Sequence, residues 1–280
     1  MRKLLLQWYK ENKRNLPWRK TKEPYKVWVS EIILQQTQIK TGLNYYNNFI
    51  DAFPTVKKLA KAQTETVLKI WQGLGYYNRA LNMLESAKLI MTKYNGEFPK
   101  KYDELIKLKG VGPYTAAAIS SFCNKEKKAV VDGNVYRVLS RLYNISTDIN
   151  TTKGKNEFQQ IANKLISPNK PGEYNQAIMD FGATQCTKYH PKCKNCPFQK
   201  SCISFKLGNI NLRPVKIVKK ISKIRYFNYL FIEKKNSFLI QQRQSLDIWK
   251  KLYELPLIET NKKITKVNLV NQKELKCFEI

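Results

Sequence analysis

Four cysteines, Cys186, Cys193, Cys196 and Cys202, fall within CTKYHPKCKNCPFQKSC with the spacing C-x6-C-x2-C-x5-C. Four thiolates so close together can wrap one metal centre. Their uneven gaps match an iron-sulfur loop better than the paired knuckles of a zinc ribbon. Zinc and disulfides remain as alternative uses, the latter disfavoured by the absence of a secretory signal. The lone His190 sits inside this basic loop and is not needed as a ligand, because four thiolates complete a site. Cys123 and Cys277 lie outside the spacing and read as ordinary thiols.

Two carboxylates supply a second kind of chemistry. Within YKVWVSEIILQQTQ, a helix would set Val27, Trp28 and Leu34 around Glu31, placing it on an apolar stripe. A carboxyl group held there is desolvated, so its pKa rises and it can remain protonated and donate. The blander reading is a surface carboxylate paired with Lys26 or Lys40. Downstream, in VVDGNVYRVLSRL, the stripe Val135, Val138, Leu139 and Leu142 puts Asp132 and Asn134 at a helix start, where Asp132 could serve simply as an N-cap. One buried acid and one carboxylate at a helix start can divide proton donation from cation stabilisation, which suggests cleavage of an N-glycosidic bond.

The elements that must position these groups are mostly helical. Residues 1 to about 205 show 3.6-residue periodicity broken by Gly, Pro and Asn. In LKGVGPYTAAAI, Gly110 and Gly112 flank Val111 in a tight turn and Pro113 suits the first helical turn that follows. The preceding FPKKYDELIKLKG reads as a helix, so the pair makes a hairpin with exposed amides beside a positive helix end, where a phosphate could sit. A purely structural turn is the alternative.

Composition agrees with a polyanionic partner. The chain of 280 residues carries 51 Lys and Arg against 21 Asp and Glu, a formal charge of +30. Only 9 of the basic residues are Arg, and Asn and Ile are abundant, a bias that AT-rich codon usage also produces. The opening MRKLLLQWYK has too short an apolar run for a signal peptide, and no run reaches the length of a membrane span, so a soluble protein of a reducing, cytoplasmic compartment is expected. From Asn209 a basic, Pro-containing connector leads to RYFNYLFIE and SFLIQQR, two runs split by KKN that read as a β-hairpin opening a second domain.

Taken in order, LPWR (Leu16 to Arg19), SEIILQQTQ, GLGYYNRA, LKGVGPYTAAAI, VDGNVYRVLSR, NQAIMDFGATQC and the cysteine loop resemble the adenine DNA glycosylases of MutY type over about residues 1 to 208. The resemblance implies a mostly α, two-subdomain helix-hairpin-helix glycosylase fold. A six-helix barrel would span about 18–125, and a subdomain of about 1–17 and 126–208 would bear a 4Fe-4S cluster on the four cysteines. A basic linker (209–224) and an incomplete, Nudix-like α/β segment (225–280) would follow. This last segment reads as some tens of residues short of a full domain. It lacks the clustered Glu and Arg of a Nudix hydrolase, and after His190 the chain has no histidine to match the family's recognition loop.

The resemblance also implies an activity, the removal of adenine mispaired with 8-oxoguanine or guanine in double-stranded DNA, by a monomeric, nucleoid-associated enzyme of base excision repair. Mapped onto this chain, Glu31 protonates adenine N7 and Asp132 stabilises the sugar cation, with Asn134 and Tyr114 in support. Gln36 and Tyr76 wedge into the duplex, and Trp18, Arg19, Leu34 and Gln176 line or support the adenine pocket. Lys109, Gly110, Val111 and Gly112 form the phosphate-facing hairpin; Lys109 stands where the family usually has Pro, and is expected to face a phosphate. The related endonuclease III type has a Lys at the position of Tyr114 that forms a Schiff base, which a phenol cannot do, so a monofunctional glycosylase is expected. An endonuclease III-like enzyme acting on oxidised pyrimidines and a non-catalytic iron-sulfur DNA-binding protein are the alternatives.

Overall fold

A computed structural model of the protein describes residues 1–217, 224–244 and 247–265. The chain divides into two compact units, Met1–Ile217 and Val218–Ile280. Cys277 and part of the stretch read as linker lie outside the described residues.

The first unit is helical: α1 (Arg2–Asn12), α2 (Pro24–Ile33), α3 (Ile39–Ala52), α4 (Val56–Ala60), α5 (Thr64–Trp71), α6 (Asn78–Lys93), α7 (Tyr102–Leu105), α8 (Pro113–Asn124), α9 (Gly133–Tyr143), α10 (Thr152–Leu165), α11 (Pro171–Asp180) and α12 (Ile203–Lys206). Among the described residues no helix is long and apolar enough to cross a membrane.

Helix α2 begins with Pro24 at its first turn and is buried on every side from Val27 to Ile33, as a helix running through a core must be. Gly42 of α3 lets the two helices approach, because a Cβ there would lie 2.8 Å from Leu34 Cδ2. In α6, Ala80, Met83, Leu84, Ala87 and Ile90 form the buried stripe. Helix α8 is central: its residues Thr115 to Ser121, small except for Ile119, are all buried, and it packs against both α2 and α11. One core lies among α1, α8, α9, α10 and α11 and reaches Phe198 of the cysteine loop. The aromatic side chains Tyr25, Trp28, Phe49, Phe53, Trp71 and Phe98 pack edge-on or tilted over α2, α3 and α5.

The segment FPKKYDELIKLKG forms a shorter helix than its pattern suggests. Only Tyr102–Leu105 is helical, and turns carry the chain through Leu108 to Gly110. Leu105 and Leu108 are both buried in this arrangement, so the turn satisfies the apolar pattern without a further helical turn. Residues 209–217, at the start of the basic connector, are hydrogen-bonded within the first unit. Arg141 Nε donates to the carbonyls of Ile210 (3.2 Å) and Arg213 (3.3 Å), and the Ile149 N–H donates to Val215.

The described part of the second unit is a set of short antiparallel pairs. β1 (Tyr226–Tyr229) pairs with β6 (Leu257–Thr260), β2 (Glu233–Lys234) with β3 (Ser237–Phe238), and β4 (Gln241–Gln242) with β5 (Tyr253–Glu254). The expected hairpin across KKN exists, but only as the two-residue pair β2–β3. The longer run RYFNY takes its partner from residues 257–260 instead. That pairing is non-local, so alternation along the chain could reveal the strand but not its neighbour.

Candidate active site

A cavity of about 540 Å³ opens between α2, the start of α9 and α11. Its lining brings together Trp18, Arg19, Glu31, Leu34, Gln36, Tyr114, Asp132, Asn134 and Gln176, nine residues named from the sequence. Tyr76 and the hairpin Lys109, Gly110, Val111 and Gly112 lie outside it, and the four cysteines line a separate hollow.

Glu31 sits on the wholly buried α2 and is 8% exposed. Burial pushes its carboxyl up to about 7; the Tyr114 hydroxyl opposes the shift, the charge of Asp132 adds to it, and Arg19 opposes it. A desolvated carboxyl of this kind is half protonated near neutrality and able to donate.

Asp132 is the N-cap of α9, so the bland reading of this residue is also true. Its Oδ1 accepts the Val135 N–H at 2.8 Å and its Oδ2 accepts Asn134 Nδ2 at 2.7 Å. Burial raises its pKa, and these two donors resist the rise by favouring the anion. The two carboxyl groups thus face one cavity with opposite support: Glu31 is buried on an apolar helix, whereas Asp132 is braced by hydrogen-bond donors.

Several contributors were not legible from the sequence. Arg137 Nη2 donates to Asn134 Oδ1 (2.7 Å) and to the Gly182 carbonyl (2.6 Å), while its Nε donates to the Cys186 carbonyl (2.8 Å). This fixes which end of the Asn134 amide faces Asp132. Asp180, fully buried, receives both Arg14 and Arg19, and the pair holds its carboxyl below the ordinary value despite burial. Both arginines line the cavity, so Asp180 occupies guanidinium groups that would otherwise compete for Glu31. Tyr9 donates to Gln176 Oε1 at 2.9 Å. Tyr46 packs edge-on against the buried Trp18, with ring centroids 5.2 Å apart. A charged side chain usually reads as solvated surface, which is why only the family resemblance pointed at Arg19, while Asp180, though inside NQAIMDFGATQC, was given no role.

Gly182 lies in a wide π-type turn, Phe181–Gln185, that continues α11. A Cβ there would meet Asn134 Cβ at 2.7 Å and Asn134 O at 2.9 Å. Gly182→Ala is therefore expected to push the start of α9 away, destabilising the fold by about 1–3 kcal/mol and, by misplacing Asp132, slowing chemistry roughly 10²-fold. Thermal melting together with single-turnover rates checks both effects.

In the hairpin, Gly110 has a left-handed φ of 77° and a Cβ there would touch Asn82 at 3.0 Å, so glycine is required. Ser86 Oγ donates to the Lys109 carbonyl. Lys109 Nζ pairs with the Glu85 carboxylate at 2.6 Å, both groups being mostly exposed. The expectation that Lys109 faces a phosphate is modified accordingly: an anion there must compete with a surface ion pair worth about 0–1 kcal/mol.

The four cysteines ring one hollow together with Val138, Leu142, Phe181, Phe205 and Ile210. Arg141 closes it: Nη1 lies 3.4 Å from Cys186 Sγ, and its other donors hold the carbonyls of Thr187 and Lys188. Among the described residues, no three His, Cys, Asp or Glu side chains converge as ligands of a single ion.

A family model for the HhH-GPD superfamily of base excision DNA repair proteins matches residues 29–168. The adenine DNA glycosylase of Buchnera aphidicola (subsp. Baizongia pistaciae) is 39% identical over 96% of this chain and 80% of its own length. That of Homo sapiens is 42% identical over 71% of this chain and 38% of its own. Among solved structures, a thermostable thymine-DNA glycosylase superposes with a TM-score of 0.68 at 27% identity, covering 73% of this chain and 94% of that one.

Proposed function

The chain belongs to the adenine DNA glycosylases of the HhH-GPD superfamily, and from that premise we propose that it excises adenine opposite 8-oxoguanine or guanine in duplex DNA, as a monomer, with Glu31 and Asp132 as its acid and its anion. It is a DNA N-glycosylase of base excision repair. The observation that carries the mechanism is that these two carboxyl groups share one cavity, the first pushed toward protonation by burial and the second braced by N–H donors.

Adenine must leave the stack to enter this cavity, and part of the binding energy offsets an unstacking cost of about a few kcal/mol. Gln36 and Tyr76 supply the wedges. Both are exposed loop residues with left-handed backbones, φ 57° and 48°, and such strain collects at functional sites. Trp18, Leu34 and Gln176 then line the flipped base. Glu31 delivers its proton to N7, which turns adenine into a neutral leaving group as the bond to C1′ stretches. The anionic Asp132, oriented by Asn134, stabilises the positive charge growing on the sugar, and water completes the hydrolysis. No amine stands at Tyr114, whose hydroxyl lies 3.3 Å from Met179 Sδ, so strand cleavage through a Schiff base is not part of the cycle.

A 4Fe-4S cluster would be held by the four cysteines that line this apolar hollow, with Arg141, beside Cys186, offsetting thiolate charge. When bound there, the cluster supplies order to the loop rather than a reacting atom. The loop then presents Lys188, Lys192, Lys194 and Lys200 toward the DNA backbone, and the hairpin 109–112 adds amides at the start of α8.

Duplexes with adenine opposite 8-oxoguanine, guanine or thymine, and a fourth carrying an oxidised pyrimidine, test the reading, with free base and alkali-independent nicks both measured. Release of adenine from the first two, little from the third, no base from the fourth, and no nicks are expected. Release of oxidised pyrimidines with concurrent nicking, or no base release by cluster-loaded protein, would overturn it.

A further inference from the structure

Arg79, in the segment GLGYYNRA, is the feature that the site leaves unexplained. Gln36 and Tyr76 stand on separate loops, one following α2 and the other joining α5 to α6. Each tip has a left-handed backbone, and the second is preceded by Gly73 and Gly75 at φ 88° and 74°. The glycines leave the second loop without rigidity of its own.

One guanidinium joins them. Arg79 Nη1 donates to the carbonyls of Ile32 (2.9 Å), Ile33 (2.9 Å) and Gln35 (2.7 Å), in the last turn of α2 and the residues just before Gln36. Its Nη2 donates to Gly75 (3.1 Å) and Leu74 (3.4 Å), just before Tyr76. The cation lies 5.7 Å from the Tyr76 ring centroid and 5.2 Å from that of Trp71. These partners are carbonyls and aromatic faces, an unusual use for a half-buried cation, and the charge is well placed at the C-terminal end of a helix dipole.

We infer that Arg79 is a positioning residue that locks the Gln36 and Tyr76 tips into one unit, so that both enter the duplex together at a fixed separation. The inference rests on the proposal that these two residues are the wedges. A planar fork is needed to reach carbonyls on two loops at once; Lys keeps the charge but offers a compact head with no fork.

The test is a double-mutant cycle. Cluster-loaded protein is mixed with a duplex carrying 2-aminopurine beside the target adenine, and the rate of fluorescence rise reads extrusion. Gln36→Ala and Tyr76→Ala are made singly and together, in the Arg79 protein and in Arg79→Lys, with Arg79→Met as a second disruption and melting curves for each.

Arg79→Lys is expected to slow extrusion roughly tenfold or more, the scale of lost charge-assisted hydrogen bonds. The two alanine substitutions should be coupled with Arg79 present and additive in Arg79→Lys. Equal coupling in the two backgrounds, with effective single substitutions and a folded protein, overturns the clamp alone. Single substitutions that leave extrusion unchanged overturn the wedge assignment, and the clamp with it.

Discussion

Glu31→Gln is expected to lower single-turnover adenine release by about 10²–10⁴-fold, the range of a positioned general acid, while mispair binding survives. Glutamine fills the same space and carries no proton to give. The wild-type rate should fall about tenfold per pH unit above about 7, the value to which burial lifts this carboxyl, because the anion cannot donate. Asp132, Arg19 and Tyr114 face the same group, so the limb reports the coupled set rather than Glu31 alone. In Glu31→Gln the alkaline limb should disappear from whatever rate remains. Retention of that limb would assign the proton to another group.

The same shift has a stability consequence with a definite sign. The folded-state value is raised above the roughly 4.3 of an unfolded glutamic acid, so between these values the native protein holds the extra proton. Its stabilising contribution is complete below the unfolded value and is lost as pH rises through about 7. Glu31→Gln should remove this part of the slope. Denaturant titrations of both proteins across the window would read it.

Asp132→Asn is expected to slow release by about 10²–10³-fold, comparable with loss of a preorganised charge-stabilising group, with the cap kept and a stability loss of about 1–3 kcal/mol where its new NH2 faces Asn134 Nδ2. The asymmetry follows from the residue's two jobs. Asparagine caps a helix about as well as aspartate and can still accept the Val135 N–H that Asp132 receives. It carries no negative charge to meet a sugar cation. Asp132→Ala should lose the rate and, in addition, about 1 kcal/mol of cap. If asparagine restored full activity, Asp132 would be a cap and nothing more, and the charge would have to come from elsewhere.

Local pattern was sufficient where a residue's environment follows a local rule. Glu31 stood out because its helical neighbours are apolar, and α2 is in fact buried on every side around it. Asp132 stood out because the stripe that follows it marks a helix start, and the cap is there. The four cysteines were grouped by spacing alone, and they line one hollow. Local pattern failed where a long side chain reaches across the fold. The helix before Gly110 stops early once Leu105 and Leu108 are buried, and RYFNY pairs with a strand far along the chain.

By itself, the chain's sequence determined the mostly helical character of the first unit, the grouping of the cysteines, the glycine hairpin and the two carboxyl groups as candidates, because each depends on neighbours within a few residues. Only the tertiary structure decided that Glu31 and Asp132 open onto one cavity. It also decided that Asp180 takes up Arg14 and Arg19, that Arg137 turns Asn134 toward Asp132, and that Arg79 ties two loops. The reason is physical: burial and charge pairing depend on distance in space, and a guanidinium that looks solvated in sequence is partnered only after the helices have packed.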